Sequence, residues 1–342
     1  MHLKDRVKRL SARFAILESS LFHFYRMRNG KAVHQEIARR ARLSFFDYQS
    51  LSADLPYGPD EHVIDNNLYG YAQALKNYAG ISSDLKAYME HGLFLGGIVH
   101  PDQFCWHFKK VLTMSEKRVS ILNEKLPQKK AIAVGPYIHY AKGLLDASEL
   151  ATLKRELGRV LLVFPFHSMK GVEAGFEEQQ LIGEIKKVAS GFDTVLISLY
   201  YLDAQKEHRV KPYLKAGFKV ITAGHKFDRH FVNRQRSHIE LADVTMSNGM
   251  GTQTGYCIYL NKPHYIFRQT VEQKSRDPKE AQRHSSRSDS EIIENVKAER
   301  GYFAELFKDY REDISPEQYA AVAEYWGFDQ IKTPAELKLL CT

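Results

Sequence analysis

"MSNGMGTQTGYCIYLNKPHYIF", residues 246–267, reads as the end of a strand, a turn with two glycines, a helix of about eight residues and a second strand. Ser247, Asn248, Gly249, Gly251, Thr252, Gln253 and Thr254 are all small or polar, and they stand where a buried strand hands over to a helix. In open α/β sheets ligands sit beyond the carboxyl ends of the strands, and a helix start offers unpaired N–H groups with a partial positive charge. Gly249 and Gly251 let a backbone approach an anion, while Ser247, Thr252 and Thr254 can add hydroxyl donors. The stretch therefore suits a phosphate cradle. A tight turn capped by Ser or Thr has the same composition, so its neighbours must decide.

The neighbours repeat the pattern. "RVLLVFPFHS" (159–168), "DTVLISLYYL" (193–202), "KVITAGH" (219–225), "VTMSNG" (244–249) and "HYIF" (264–267) are apolar, β-branched runs. Between the first three lie "EEQQLIGEIKKVAS" (177–190) and "KEHRVKPYLKAG" (206–217), which have helical spacing; Pro212 in the latter belongs to a first turn or a kink. Alternating strands and helices predict a parallel sheet covered on both faces, a doubly wound half over about 160–310. Two further strand ends then present His167, Ser168, Gly224, His225, Lys226 and Arg229 at the same rim as the 246–254 turn.

The first half is less regular. "KVLTMSEKRVSILNEKL" (110–126) and "KAIAVGPYIHYA" (130–141) each read as a strand followed by a helix or turn, which points to a second α/β domain. "DASELATLKRELG" (146–158) is the crossing between halves, and 268–290 is a polar surface loop. The resulting division is a basic helical segment at 1–45, α/β domains at 46–150 and 151–315, and a closing amphipathic helix at 316–342.

The chain has 342 residues and a net charge of +8, and residues 1–42 carry all of that excess, with 11 Lys/Arg against three acids. Leu3, Val7, Leu10, Phe14, Leu17, Leu21 and Phe24 form an apolar stripe along the same segment. Residues 1–28 are thus an expected contact for an anionic membrane surface; a helix packed on its own domain or on a second subunit has the same pattern. No nucleic-acid-binding motif accompanies the charge, so no nucleic acid is expected as a partner. No apolar run approaches the roughly 20 residues of a membrane span, and the start lacks a signal core. Cys105, Cys257 and Cys341 are too scattered for a disulfide framework or a metal knuckle. A cytoplasmic location follows, on the inner face of the cell membrane if the basic segment docks there. Neither a lysine-bearing phosphate loop, a GxGxxG turn, an Asp-x-Asp pair nor a G-x-S-x-G elbow occurs. No cofactor or metal is expected.

Two α/β halves, the Ser/Thr-Gly turn and "YCIYLNKPHYIF" resemble the donor half of a GT-B glycosyltransferase. Over about residues 66–267 the chain is similar to the bacterial enzymes that build capsule, lipopolysaccharide and teichoic-acid-type polymers, with "EHG" (90–92) and "VGPYIHYA" (134–141) as acceptor-side motifs and "FPFHS" as a donor-side one. The resemblance implies two Rossmann-like domains with a cleft between them. It further implies sugar transfer from a nucleotide-sugar donor to a surface glycan or its lipid-linked precursor. It places "MEHGLFLGG" (89–97) in the cleft, where His91 or Glu90 could act as general base. A CDP-polyol phosphotransferase and a non-catalytic nucleotide- or glycan-binding domain fit the same residues.

Overall fold

Five short apolar runs of the second half form one parallel sheet, as the periodicity predicts. In a computed structural model, residues 15–55, 66, 68–99, 108–169, 171–275 and 290–342 are described. The sheet's strands are β4 (Val160–Phe164), β6 (Thr194–Ser198), β7 (Lys219–Ile221), β8 (Val244–Ser247) and β9 (His264–Ile266). Their spatial order is β7-β6-β4-β8-β9, so the winding reverses between β4 and β8. That reversal opens a crevice where the loops after β4 and β8 part to opposite sides. The strands read as unbroken apolar runs because helices cover both faces: Leu161, Val163 and Ile197 face one core and Leu162, Leu196 and Ile221 the other.

The covering helices are α5 (Ala147–Leu157), α6 (Glu178–Val188), α7 (Tyr201–Ala204), α8 (Glu207–Lys215), α9 (Phe231–Leu241) and α10 (Thr252–Tyr259). α5 starts on a reciprocal capping box between Asp146 and Glu149. Pro212 lies inside α8, past its first turn.

The first half holds a smaller parallel sheet, β1 (Tyr88–Met89), β2 (Lys110–Thr113) and β3 (Lys130–Ala133), with β2 in the middle. α4 (Glu116–Lys125) packs on β3, and α3 (Tyr71–Ala79) shares a buried cluster with Met89 and Leu112 of the sheet. Two α/β units of Rossmann type are therefore present. They share a core: Leu112, Met114 and Tyr137 belong to the same buried cluster as Leu162, Tyr256 and Trp326.

Several boundaries differ from the sequence division. Residues 46–55 pack on the second half. There α2 (Tyr48–Ser52) meets α7, and the Leu51 carbonyl accepts the His225 N–H at 3.1 Å. Part of the expected 268–290 loop is a strand, β10 (Glu272–Ser275), antiparallel to β5 (Val172–Gly175); residues 276–289 lie outside the described residues. α11 (Ser290–Leu306) follows. The tail is two helices, α12 (Pro316–Trp326) and α13 (Pro334–Cys341); α12 lies against α10 and α4, and α13 against α3. The sequence expected one closing helix.

Leu3, Val7, Leu10 and Phe14 of the predicted apolar stripe lie outside the described residues, which open on α1 (Ala15–Arg40). Its last turn is anchored by Arg40, which is buried and donates to the carbonyls of Leu51, Ala53 and Asp54. Phe24, further back on α1, is 56% exposed. Cys257 and Cys341 are buried free thiols, and Cys105 lies outside the described residues. Among the described residues no helix is long and apolar enough to cross a membrane.

Candidate functional site

The start of α10 stands beside the crevice between β4 and β8. Its cap position is Gly251, extended at φ −157°, and no side chain caps the helix. Thr252 and Gln253 are half-buried there. Uncapped first-turn N–H groups seek an outside acceptor. The three atoms nearest to a Cβ on Gly251 would all be at the far end of the Gln253 side chain.

The rest of the predicted cradle is committed to internal bonds. The Ser247 hydroxyl donates to the Gly249 carbonyl at 2.9 Å and sits 3.0 Å from Nε2 of His264. Thr254 Oγ1 lies 3.4 Å from the same nitrogen, and Thr245 Oγ1 lies 2.8 Å from Nδ1. His264 is buried, and desolvation pushes its pKa down to about 3, so the ring is neutral and serves as a hub for three hydroxyls. The hydroxyls of Ser247 and Thr254, expected from the sequence as phosphate donors, are thus engaged with the Gly249 carbonyl and His264 beneath the turn.

Asn248 ties the two strand ends together. Its Oδ1 accepts the Phe166 N–H at 2.6 Å and its Nδ2 donates to Gln269 at 3.0 Å. Gly249 is small for Phe166, because a Cβ there would lie 2.9 Å from the ring edge. That is packing and not approach to an anion.

The turn after β1 reaches this helix start from the other half. The Leu93 N–H donates to Thr252 Oγ1 at 3.0 Å, and a Cβ on Gly92 would come within 2.7 Å of that oxygen. "EHG" and "GTQT", 160 residues apart in reading, are thus in contact. The Thr252 carbonyl in turn accepts the indole N–H of Trp326 at 3.1 Å. His91 is half-buried, edge-on to Phe94 at 5.3 Å.

Glu90 is buried. Its carboxylate takes Nη2 and Nε of Arg118 at 2.6 and 3.0 Å and the Thr113 hydroxyl at 2.6 Å. A carboxylate engaged at both oxygens by a guanidinium is a counter-ion, and this arrangement does not suit a base. His91 is the better candidate of the two.

On the rim after β4, β6 and β7, the expected residues divide again. His167 is exposed, with its ring parallel to Phe166 (15°) and 4.6 Å from Tyr200. Tyr69 of the first half brings its hydroxyl within 3.4 Å of that of Tyr200. It does so from a left-handed backbone, φ 56°, uncommon outside glycine. The Tyr69 N–H bond to the Lys226 carbonyl at 2.7 Å holds it. Ser168 is buried and gives its hydroxyl and N–H to Asp203 at 2.6 and 2.8 Å. Gly224, at φ +99°, makes room for the Arg234 guanidinium. His225 is buried, with its pKa pushed down to about 4 chiefly by desolvation, and its Nδ1 accepts the Phe227 N–H at 3.2 Å. Lys226 lies over the Phe227 ring at 4.8 Å.

The structure therefore gathers His91, Gly251, Thr252 and Gln253 at one place, with His167 on the strand-end rim, and gives Ser168, Gly224, His225, Ser247 and Thr254 supporting roles. Arg118, Tyr69, Trp326 and His264 went unseen in the sequence. Only His264 had a signal there, as a polar residue opening a buried strand.

No family model matches the chain, and no curated protein sequence matches it. Among solved structures, that of the wall teichoic acid polymerase TagF matches at 11% identity with a TM-score of 0.39, covering 74% of this chain and 65% of that one. This chain thus spans a little less than two thirds of it. That of UDP-GlcNAc 2-epimerase from Neisseria meningitidis bound to UDP-GlcNAc matches at 13% identity with a TM-score of 0.37, covering 90% of this chain and 88% of that one. At such similarity the two-unit α/β fold rests on this chain's own strand order and parallel registers.

Proposed function

We propose that the chain is a glycosyltransferase that moves a sugar from a nucleotide-sugar to a bacterial surface polysaccharide or its lipid-linked precursor. The supporting observation is the contact of Gly92 and Leu93, the two residues after His91, with Thr252 at the uncapped start of α10, which joins the turn that carries His91 in one half to a helix start of the other. In this reading the N–H groups of Thr252 and Gln253 and the Thr252 hydroxyl take the donor phosphates, with His167 beside them on the rim. The acceptor hydroxyl loses its proton to His91 as its oxygen bonds to the anomeric carbon. The bond from that carbon to the phosphate oxygen breaks, and the electron pair leaves with the phosphate, where helix N–H groups meet the new charge. Such a scheme asks for no cofactor. The basic residues 1–28 are the proposed contact with an anionic membrane face, supported by the exposed Phe24 on the described part of α1.

A thermal-shift screen over CMP-, UDP-, GDP- and CDP-linked compounds tests the reading. One donor class should stabilise the fold, by about 2.7 kcal/mol at 100 times its dissociation constant, and turnover should release its nucleotide with the sugar on the product. Phosphate retained in the product would assign a polyol phosphotransferase instead. Binding without turnover would leave a binding domain.

A further inference from the structure

Beyond the carboxyl ends of β1 and β2, at the start of α4, lies a cavity of about 20 Å³. Gly92, Phe94, Ser115, Arg118, Ile121 and Tyr325 are among its lining residues. This is the ligand position of an open α/β sheet, here in the first half. Gly92 is a wall of the cavity and also packs on Thr252, so one residue separates it from the start of α10.

Arg118, one of the lining residues, carries an unanswered donor. Its Nε and Nη2 are given to Glu90, whereas Nη1 is buried and has no partner among the described residues. A buried N–H without an acceptor is costly, so an oxygen is expected against it. The other polar groups at the wall are answered. Glu299 accepts from the Gly96 N–H at 2.7 Å and from the Tyr325 hydroxyl at 2.9 Å. Lys117 pairs with Glu324 at 3.0 Å over the Tyr325 ring. Thr113 donates to Glu90.

Size and charge narrow the occupant. A cavity of 20 Å³ holds about one oxygen. Arg118 is already balanced by Glu90, so the cavity offers a hydrogen bond and no net positive charge. A phosphate group suits it in neither respect, while a hydroxyl suits it in both. We infer that the cavity is the socket for one hydroxyl of a polyol or sugar acceptor, held by Arg118 Nη1 beside the His91 turn. The inference rests on the acceptor role proposed for the first half.

The test uses the full chain, with glycerol, glucose and N-acetylglucosamine as probes in saturation-transfer NMR. Ile121→Phe fills the cavity and leaves every hydrogen bond named above in place; Arg118→Lys keeps the charge beside Glu90 and removes Nη1. Wild type should bind at least one probe, and both variants should bind it about ten times more weakly or worse. The nucleotide thermal shift should stay as in wild type. Equal probe binding in folded Ile121→Phe overturns the socket, whatever Arg118→Lys does. Nucleotide binding with no polyol binding overturns the socket and leaves the proposed donor half standing; loss of both in wild type removes the two readings together. A crystal soaked in the bound probe should show its hydroxyl on Nη1. An ordered water there, unmoved by the probe, assigns a structural water and overturns the proposal.

Discussion

Thr252 and Thr254 stand two positions apart on one helical turn, and their hydroxyls meet different partners. Thr252 Oγ1 takes the Leu93 N–H at the junction of the halves, and its own proton remains available to a ligand. Thr254 faces the buried His264. Thr252→Val should therefore weaken nucleotide-sugar binding by about 1–3 kcal/mol, the value of a hydrogen bond to a charged oxygen. Thr254→Val should lower the melting temperature slightly and leave donor affinity unchanged. Titration calorimetry and thermal melts on both variants check this; equal donor affinities would remove Thr252 from the cradle. The adjacent pair Glu90 and His91 separates in the same manner. His91→Ala should cost about 100- to 10,000-fold in turnover with an unchanged melting temperature. Glu90→Gln leaves the buried Arg118 uncompensated and should destabilise the fold by about 3–5 kcal/mol, with activity falling only as the folded fraction falls. A stable Glu90→Gln enzyme with turnover reduced like that of His91→Ala would return the base to Glu90.

Elements were legible in the sequence where burial is two-sided and local. β4, β6 and β8 announce themselves as apolar runs because helices close over both faces, and α10 has the expected length of eight residues. β1 did not, since a two-residue strand has no period to read and exists only by pairing with β2. β10 was hidden in a polar stretch for the same reason, as its partner β5 lies about a hundred positions earlier. The site followed that rule. The two-glycine turn was visible, but the direction of its hydroxyls depends on His264, which arrives only through the β8–β9 pairing. Arg118 and Glu90 are 28 positions apart, joined by parallel pairing of β1 and β2. The basic N-terminal segment is an element with its own test. Changing Lys4, Lys8, Arg9 and Arg13 to Gln, all outside the described residues, should abolish flotation with anionic liposomes at low salt and spare donor binding. Unchanged flotation would make the segment a packing element.

At the scale of the whole molecule, one core joins the halves, so acid should unfold them together through the histidines buried in and around it. His264 and His238 have pKa values pushed down to about 3 and His225 to about 4, in each case first by desolvation. In the unfolded chain all three titrate near 6.5. Between those values the unfolded state binds protons that the folded state refuses, so stability is complete above about pH 6.5 and declines as pH falls. Each histidine contributes about 1.4 kcal/mol per pH unit over that window, against a typical total of about 5–15 kcal/mol. Glu36, held down to about 2 first by its Arg39 hydrogen bond, adds its own loss only below its ordinary value of 4.5. The interval from pH 6.5 to 4.5 thus isolates the histidines. His238 is the one to change, because both ring nitrogens are buried without partners among the described residues and the ring stands edge-on to Phe45 at 4.9 Å. His238→Met keeps the volume approximately and removes the titration along with two unmet polar atoms. Its melting temperature should exceed that of wild type at pH 8, and by a wider margin at pH 5, as urea midpoints across the same range should also show. Parallel curves for the two proteins would mean that His238 is not a source of the acid sensitivity.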